Sequence, residues 1–299
     1  MSPSKVDRNL RAVNRGAENQ VGVAGVVIVS TMEHFAKGLV AIPTSAISVE
    51  KSTQRHVAHL GPLSLVPSNF FSVTSSVNTP VNVNVLKKYL HAHPNQVLVD
   101  FIISGFTFGF RLGFEGGVLT SALKNNKSAF DYKSKVDEAV LKELNRGHTI
   151  GPFHNVPLSN FHRSPLGAAP KKDGTVRVVL DLSSPKGFSV NDGIKKEDYS
   201  VSYSSFDDAV NIVKKLGRNC YMAKLDIKHA FRLCPVHPDD WHMLGYKWDN
   251  SYYFDVVLPF GGRSSPFIFN NFADLLQWIL IVIFLIQNLL HYLDDFFQC

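Results

Sequence analysis

The stretch His291-Tyr292-Leu293-Asp294-Asp295-Phe296-Phe297 sets two adjacent carboxylates inside an apolar and aromatic run. Neighbouring acids repel each other and are poorly solvated among apolar groups, so such a pair calls for a cation. A third acid, Asp226, stands in a second apolar, strand-like run, Met222-Ala223-Lys224-Leu225-Asp226-Ile227. Three carboxylates from two strands imply a site for two Mg²⁺ ions and, with it, phosphoryl transfer. Taken singly, each signal is weak, because a lone Asp commonly caps a strand or pairs with a base, and acidic pairs are common in turns. Their order and spacing change this: Asp226 and Asp294 are 68 residues apart (294 minus 226), and between them lies Leu258-Pro259-Phe260-Gly261-Gly262-Arg263-Ser264-Ser265-Pro266. The glycines of that turn let backbone approach a ligand closely.

The whole chain accommodates such a site. Its 299 residues are 45% hydrophobic and 11% aromatic, enough for a sizeable core, and the net charge of +6 allows a polyanionic partner without requiring one. Between Arg163 and Lys186 five basic residues (Arg163, Lys171, Lys172, Arg177, Lys186) face two acidic ones, Asp173 and Asp181. The three cysteines, Cys220, Cys234 and Cys299, are odd in number, lack metal-ligand spacing and read as reduced thiols of an intracellular protein. His229, His237, His242 and His291 form no zinc pattern either and read as surface or core residues. The apolar run Val21–Val29 starts late and lacks a clean cleavage site, so it does not read as a secretory signal. Leu275–Leu290 is interrupted by Gln277, Gln287 and Asn288 and reads as a buried helix and strand rather than a membrane span.

Periodicity divides the chain into a poorly ordered leader over residues 1–79, a helical segment over 80–150, and a region of alternating short strands and helices over 151–299. Leu86, Tyr89 and Leu90 share one helical face, and Val97–Phe110 is apolar at three- and four-residue spacing. A helix is predicted over 135–146, capped by Ser134 with Asp137 three residues on, stopped by Gly147, and carrying a Glu138–Lys142 pair. A second is predicted over 206–216, with Ser205 as cap, Asp208 at N3 and Gly217 as stop. Strands are expected at Thr175–Leu180 and around Asp226, with a hairpin of His242–Trp248 and Ser251–Val257 turning at Asp249-Asn250. The pattern is α+β with antiparallel pairing around the acidic strands.

Four blocks in order then carry a family resemblance. Asp226–Phe231, Leu258–Pro266 and Tyr292–Asp295 resemble the palm motifs of reverse transcriptases. Ser164-Pro165-Leu166-Gly167-Ala168-Ala169-Pro170-Lys171-Lys172 and Arg177–Ser183 resemble the fingers. The wording of Leu180–Asp192 and of His291–Phe297 most resembles DIRS-like retrotransposons, which pair a reverse transcriptase with a tyrosine recombinase. The resemblance spans roughly residues 80–299 and implies right-hand polymerase fingers and a palm with an antiparallel sheet, over 151–299.

It also implies roles. Asp226 and Asp294 would hold two Mg²⁺ (or Mn²⁺) ions with the Ile227 carbonyl as a further ligand, and Asp295 would be a supporting charge. One of Lys171 or Lys172, together with Arg177, would clamp the incoming triphosphate; Arg suits this because its fork binds phosphate oxygens in pairs. Phe231 takes the place of the aromatic that excludes a ribose 2′-hydroxyl. Phe260 stands where retroviral enzymes have glutamine, Gly261 would let backbone approach nucleotide or template, and Leu293 would touch the primer end or incoming sugar. The implied partners are an RNA or DNA primer–template and deoxynucleoside triphosphates, with no membrane. The return strand of the Tyr292–Asp295 hairpin is expected to need residues past Phe297, and thumb and RNase H segments are expected beyond Cys299. The chain alone is therefore expected to show little processive synthesis. A catalytically inactive nucleic-acid-binding remnant, or a partner-binding protein, is the alternative reading.

Overall fold

The computed structural model describes residues 77–117, 119, 123–172 and 174–299. The leader expected over 1–79 lies outside the described residues except for its last three. Two of those three are tied in: Val77 N–H donates to the Thr107 carbonyl at 3.2 Å and Thr79 Oγ1 to the Leu233 carbonyl at 2.9 Å.

Four helices open the described chain: α1 (Val83–Leu90), α2 (Gln96–Phe108), α3 (Lys127–Asp131) and α4 (Lys133–Asn145). Asn82 and Asn95 cap α1 and α2 by accepting from Val85 and Leu98 N–H. The expected α1 face is the one that packs, with Leu86 and Leu90 fully buried and Tyr89 against Phe284. Helix α4 corrects the predicted start. Tyr132 ends α3 and opens α4, and Val136 N–H already bonds back to the Tyr132 carbonyl, so Ser134 falls inside the first turn and cannot cap it. Glu138 pairs with Lys135 three residues earlier, not with Lys142. Gly147 stops the helix as expected, at φ +70° with its N–H on the Leu144 carbonyl.

Three antiparallel groups of strands follow. Strands β1 (Thr149–Phe153), β5 (Gly245–Trp248) and β6 (Ser251–Asp255) pair in the order β1-β6-β5. The β5–β6 hairpin turns at Asp249 and Asn250, both at positive φ, the geometry that matches the twist of its strands. It begins at Gly245, later than the pattern suggested, because Pro238–Met243 winds into a 3₁₀ helix that takes His242 out of the strand. Strands β2 (Leu166–Pro170) and β3 (Val176–Leu180) form a separate hairpin. Strands β4 (Ala223–Asp226), β7 (Leu289–Tyr292) and β8 (Asp295–Gln298) pair in the order β4-β8-β7. The return strand expected to need residues past Phe297 is therefore present as β8. It is only four residues long and lies central, laddered on both sides.

Helix α5 (Phe206–Leu216) carries the predicted Ser205–Asp208 capping box and Gly217 stop. Helix α6 (Ser265–Trp278) continues through one π-helical turn, Ile279–Ile283. The combined Ser265–Ile283 segment is long and apolar enough to cross a membrane, yet half of it is buried in the fold. Phe269, Phe272, Leu275 and Ile279 are fully buried in the core shared with α2, where Phe106 meets Phe272 edge-on at 4.7 Å. That core anchors the sheet bearing the acidic residues.

Candidate active site

The β-ladder sets two of the three carboxylates opposite each other and leaves the third in the adjoining turn. Asp226, last residue of β4, is directly opposite Asp295, first residue of β8, and Asp295 is in turn opposite Tyr292 of β7. Leu293 and Asp294 form the two-residue turn between β7 and β8, with Leu293 at φ +53°. The Asp294 carbonyl accepts from Ile227 N–H at 2.9 Å, locking the turn against the end of β4. Asp294 and Asp226 thus lie at the ends of their strands rather than within them.

The electrostatics mark the spot. Burial pushes the Asp294 carboxyl above the ordinary carboxylate range, and the charges of Asp226 and Asp295 push the same way. Lys224 Nζ sits 2.9 Å from Asp295 Oδ2 and offsets part of that charge, its own pKa raised by the same contact. Among the described residues no three His, Cys, Asp or Glu side chains converge as a ready-made ligand shell. That arrangement still fits Mg²⁺, which is commonly held by one or two carboxylates with water and substrate phosphate completing the octahedron. Asp226 and Asp294 would be the residues to hold it. The Ile227 carbonyl accepts from Ala230 N–H at 3.2 Å and keeps a second lone pair.

A second group gathers around Phe260. Arg177, on β3 opposite Ala169, places its guanidinium carbon 5.9 Å from the Phe260 ring centre. Phe231 lies 5.5 Å from Phe260 and 5.7 Å from Phe269, held in the 3₁₀ turn Ala230–Leu233. Gly261 follows at φ +97°, where a Cβ would come within 3.3 Å of the Leu180 carbonyl oxygen. Any larger residue would be strained there. Lys171 and Lys172 are exposed at the closed end of the β2–β3 hairpin, where Lys171 N–H bonds the Thr175 carbonyl at 2.7 Å. Both stay available to a phosphate, and the choice between them stays open.

Two functional contributors escaped the sequence reading. Asn191 is buried and grips the glycine turn: Nδ2 donates to the Gly261 carbonyl and to Ser183 Oγ, each at 2.9 Å, while Oδ1 accepts from Arg263 N–H at 2.8 Å. Arg232 is the other. Its side chain is buried behind Phe260, 6.0 Å from the ring, bonded to Asp255 at 2.6 Å and to Glu143 at 3.2 Å. Burial would raise the Glu143 pKa, but the hydrogen bond with His148 and the charge of Arg232 outweigh it and hold the group at about 2. Thr149 Oγ1 donates to Asp255 Oδ1 at 2.5 Å, so the ionic group joins α4, β1, β6 and the Phe231 turn. His291, by contrast, is a core residue, bonded to Asp274 of α6 at 2.8 Å and stacked on Phe296.

Residues 169–298 match the family described as "Reverse transcriptase (RNA-dependent DNA polymerase)". Those residues, less than half of the chain, are similar to that family. The span runs from β2 through β8 and so takes in both the carboxylate ladder and the Phe260 group. Over 137 residues the chain is 26% identical to the Transposon Tf2-3 and Tf2-7 polyproteins of Schizosaccharomyces pombe, covering 46% of this chain and 9% of each polyprotein. It is thus a small part of the length of the curated relatives it matches. Among solved structures it is similar to the prototype foamy virus protease-reverse transcriptase, at 22% identity and TM-score 0.45 over 62% of this chain and 22% of that one. A foamy viral protease-reverse transcriptase in complex with RNA/DNA hybrid gives 18% identity and the same TM-score of 0.45 over 77% of this chain and 30% of that one.

Proposed function

We propose that this domain extends the 3′-hydroxyl of a primer with deoxynucleotides on an RNA or DNA template, as part of a DIRS-like retrotransposon. The observation that carries the reading is the Asp226–Asp295 register with Asp294 in the adjoining turn. It concentrates negative charge at the end of one sheet.

When bound, two Mg²⁺ ions would lower the pKa of the primer hydroxyl and neutralise the triphosphate and leaving pyrophosphate. The protein's share is positioning and charge. Asp226 and Asp294 hold the cations, and Asp295, balanced by Lys224, supports them. Arg177 and a lysine of the 171–172 pair clamp the triphosphate, so that the bond from the α-phosphorus to the leaving pyrophosphate breaks as the primer oxygen joins it. Phe231 closes the space beside the sugar 2′-carbon and favours deoxynucleotides. Phe260 offers a ring face where an amide would have offered a hydrogen bond. Leu293, held at positive φ in the turn, meets the primer end or incoming sugar.

The DIRS-like assignment rests on the wording of Leu180–Asp192 and His291–Phe297, and a tyrosine-recombinase reading frame in the same genomic element would support it. The activity is tested by single-nucleotide addition to a labelled primer annealed to RNA or DNA, with Asp226→Asn as control. Mg²⁺-dependent addition that vanishes in the variant is expected. No addition by the natural sequence, or equal addition by both, overturns the proposal.

A further inference from the structure

Helix α6 reaches strand β7 through two polar side chains. Asp274 Oδ1 lies 2.8 Å from His291 Nε2, and Gln277 Nε2 donates to the Leu289 carbonyl at 2.7 Å. Asp274 and Gln277 share one face of the helix, and Leu289 and His291 one face of the strand. Tyr292, next along β7, alternates to the other face and is exposed. The acidic hairpin is thus held to α6 by directional bonds as well as by apolar packing.

A histidine is a costly choice at that position. It is buried and stacked on Phe296, its cross-strand neighbour, where an aliphatic side chain would also satisfy the core. A carboxylate only accepts, so Nε2 carries the hydrogen, and Nδ1 is left buried with no hydrogen-bond partner among the described residues. Asn270, also buried, donates Nδ2 to Asp274 Oδ2 at 3.1 Å and so fixes the carboxylate by its other oxygen. What the imidazole adds over an apolar residue is direction. Apolar burial is non-directional, whereas one hydrogen bond sets the height of β7 along α6.

Asp294 stands three residues beyond His291, in the turn into which β7 leads. Phe269 of the same helix lies 5.7 Å from the Phe231 ring centre. Helix α6 is therefore the common support of the carboxylate turn and of the Phe231 segment. From this we infer that His291 is a positioning residue: its bond to Asp274 sets where Asp294 stands relative to Asp226 and Phe231. It acts through Asp294 rather than on the reacting atoms. The kinetic consequence rests on the nucleotide addition proposed above, and the geometric one does not.

Two variants and two measurements test it. His291→Leu keeps an apolar contact with Phe296 and removes the donor, while His291→Gln returns an N–H donor at about the reach of Nε2. In single-nucleotide addition, His291→Leu should lower kcat ~10-fold or more by misplacing a carboxylate, with KM for deoxynucleotide within about twofold. Its melting temperature should be unchanged or higher, since a buried polar group has been replaced by an apolar one. His291→Gln should recover kcat to within about threefold of the natural protein. Asp274→Ala should fall as far as His291→Leu and the double variant no further, because the pair acts as one unit. The second measurement needs no turnover: amide exchange at Ile227, whose N–H bonds the Asp294 carbonyl at 2.9 Å. Exchange there should quicken in His291→Leu and return to the natural rate in His291→Gln, while amides paired between β1 and β6 stay constant. A kinetic loss matched by a lower melting temperature, no recovery in His291→Gln, or unaltered Ile227 exchange in His291→Leu overturns the inference. If the natural protein adds no nucleotide, the proposed function fails and Ile227 exchange alone decides this one.

Discussion

Asn191 spans the Gly261 turn, donating to the Gly261 carbonyl at 2.9 Å and accepting from Arg263 N–H at 2.8 Å. One carboxamide thereby sets where Phe260 and Gly261 stand relative to the Phe231 turn and the Leu180 carbonyl. The turn has no regular ladder of its own, so this side chain supplies what a strand partner would otherwise provide.

Asn191→Ala removes three part-buried hydrogen bonds, to the Gly261 carbonyl, the Ser183 hydroxyl and the Arg263 N–H. Each such bond contributes about 0.5–1.5 kcal/mol net. The variant should melt at a lower temperature and show a raised KM for deoxynucleotide, while primer–template Kd stays within about twofold. Thermal denaturation and steady-state kinetics separate the two effects; an unchanged KM would place Asn191 outside the nucleotide site.

Much of this architecture was legible because its signals are local. The Ser205–Asp208 capping box, the Asp249-Asn250 turn and the apolar strands around the acids are all read within a few residues. Asn191 was not, because its partners are 70 and 72 residues away and an Asn before Asp-Gly reads as an ordinary turn. Arg232 was hidden for the same reason: a charged residue one position after Phe231 gives no sign that Asp255 and Glu143 will enclose it. The start of α4 was misjudged because Ser134 has the chemistry of a cap, and only the abutting α3 draws it into the helix.

The buried ionic group makes a prediction about acid stability. Glu143 has an ordinary value of 4.5 and is held at about 2 in the folded protein. A carboxyl depressed by folding contributes stability that is complete above its unfolded pKa and is lost as pH falls through the folded one. The loss should therefore occupy the window from about pH 4.5 down to about pH 2. Denaturant midpoints followed across that range should decline in the natural protein and decline less in Glu143→Gln. Arg232→Met should cost on the order of 3–5 kcal/mol at neutral pH, since it leaves Asp255 buried without its partner.

The sugar selection proposed for Phe231 rests on a ring that packs between Phe260 and Phe269. Phe231→Val keeps an apolar side chain against Phe269 but withdraws the ring edge. The ratio of deoxynucleotide to ribonucleotide incorporation should fall at least ~10-fold, a size consistent with what steric pockets discriminate. An unchanged ratio in single-nucleotide addition would reduce Phe231 to a core aromatic.

The central claim is that Asp226 and Asp294 together hold the catalytic cation, and it can be tested without any turnover. Fe²⁺ exchanged into a Mg²⁺ site reduces added hydrogen peroxide to hydroxide and a hydroxyl radical, itself becoming Fe³⁺; the radicals cut the polypeptide nearby, and the cut positions report where the ion sits. With primer–template and deoxynucleotide present, cleavage is expected beside Asp226 and beside Asp294. It should be suppressed by excess Mg²⁺ and absent in Asp226→Asn/Asp294→Asn. Cleavage confined to other segments, or unaltered by the double substitution, would contradict the account.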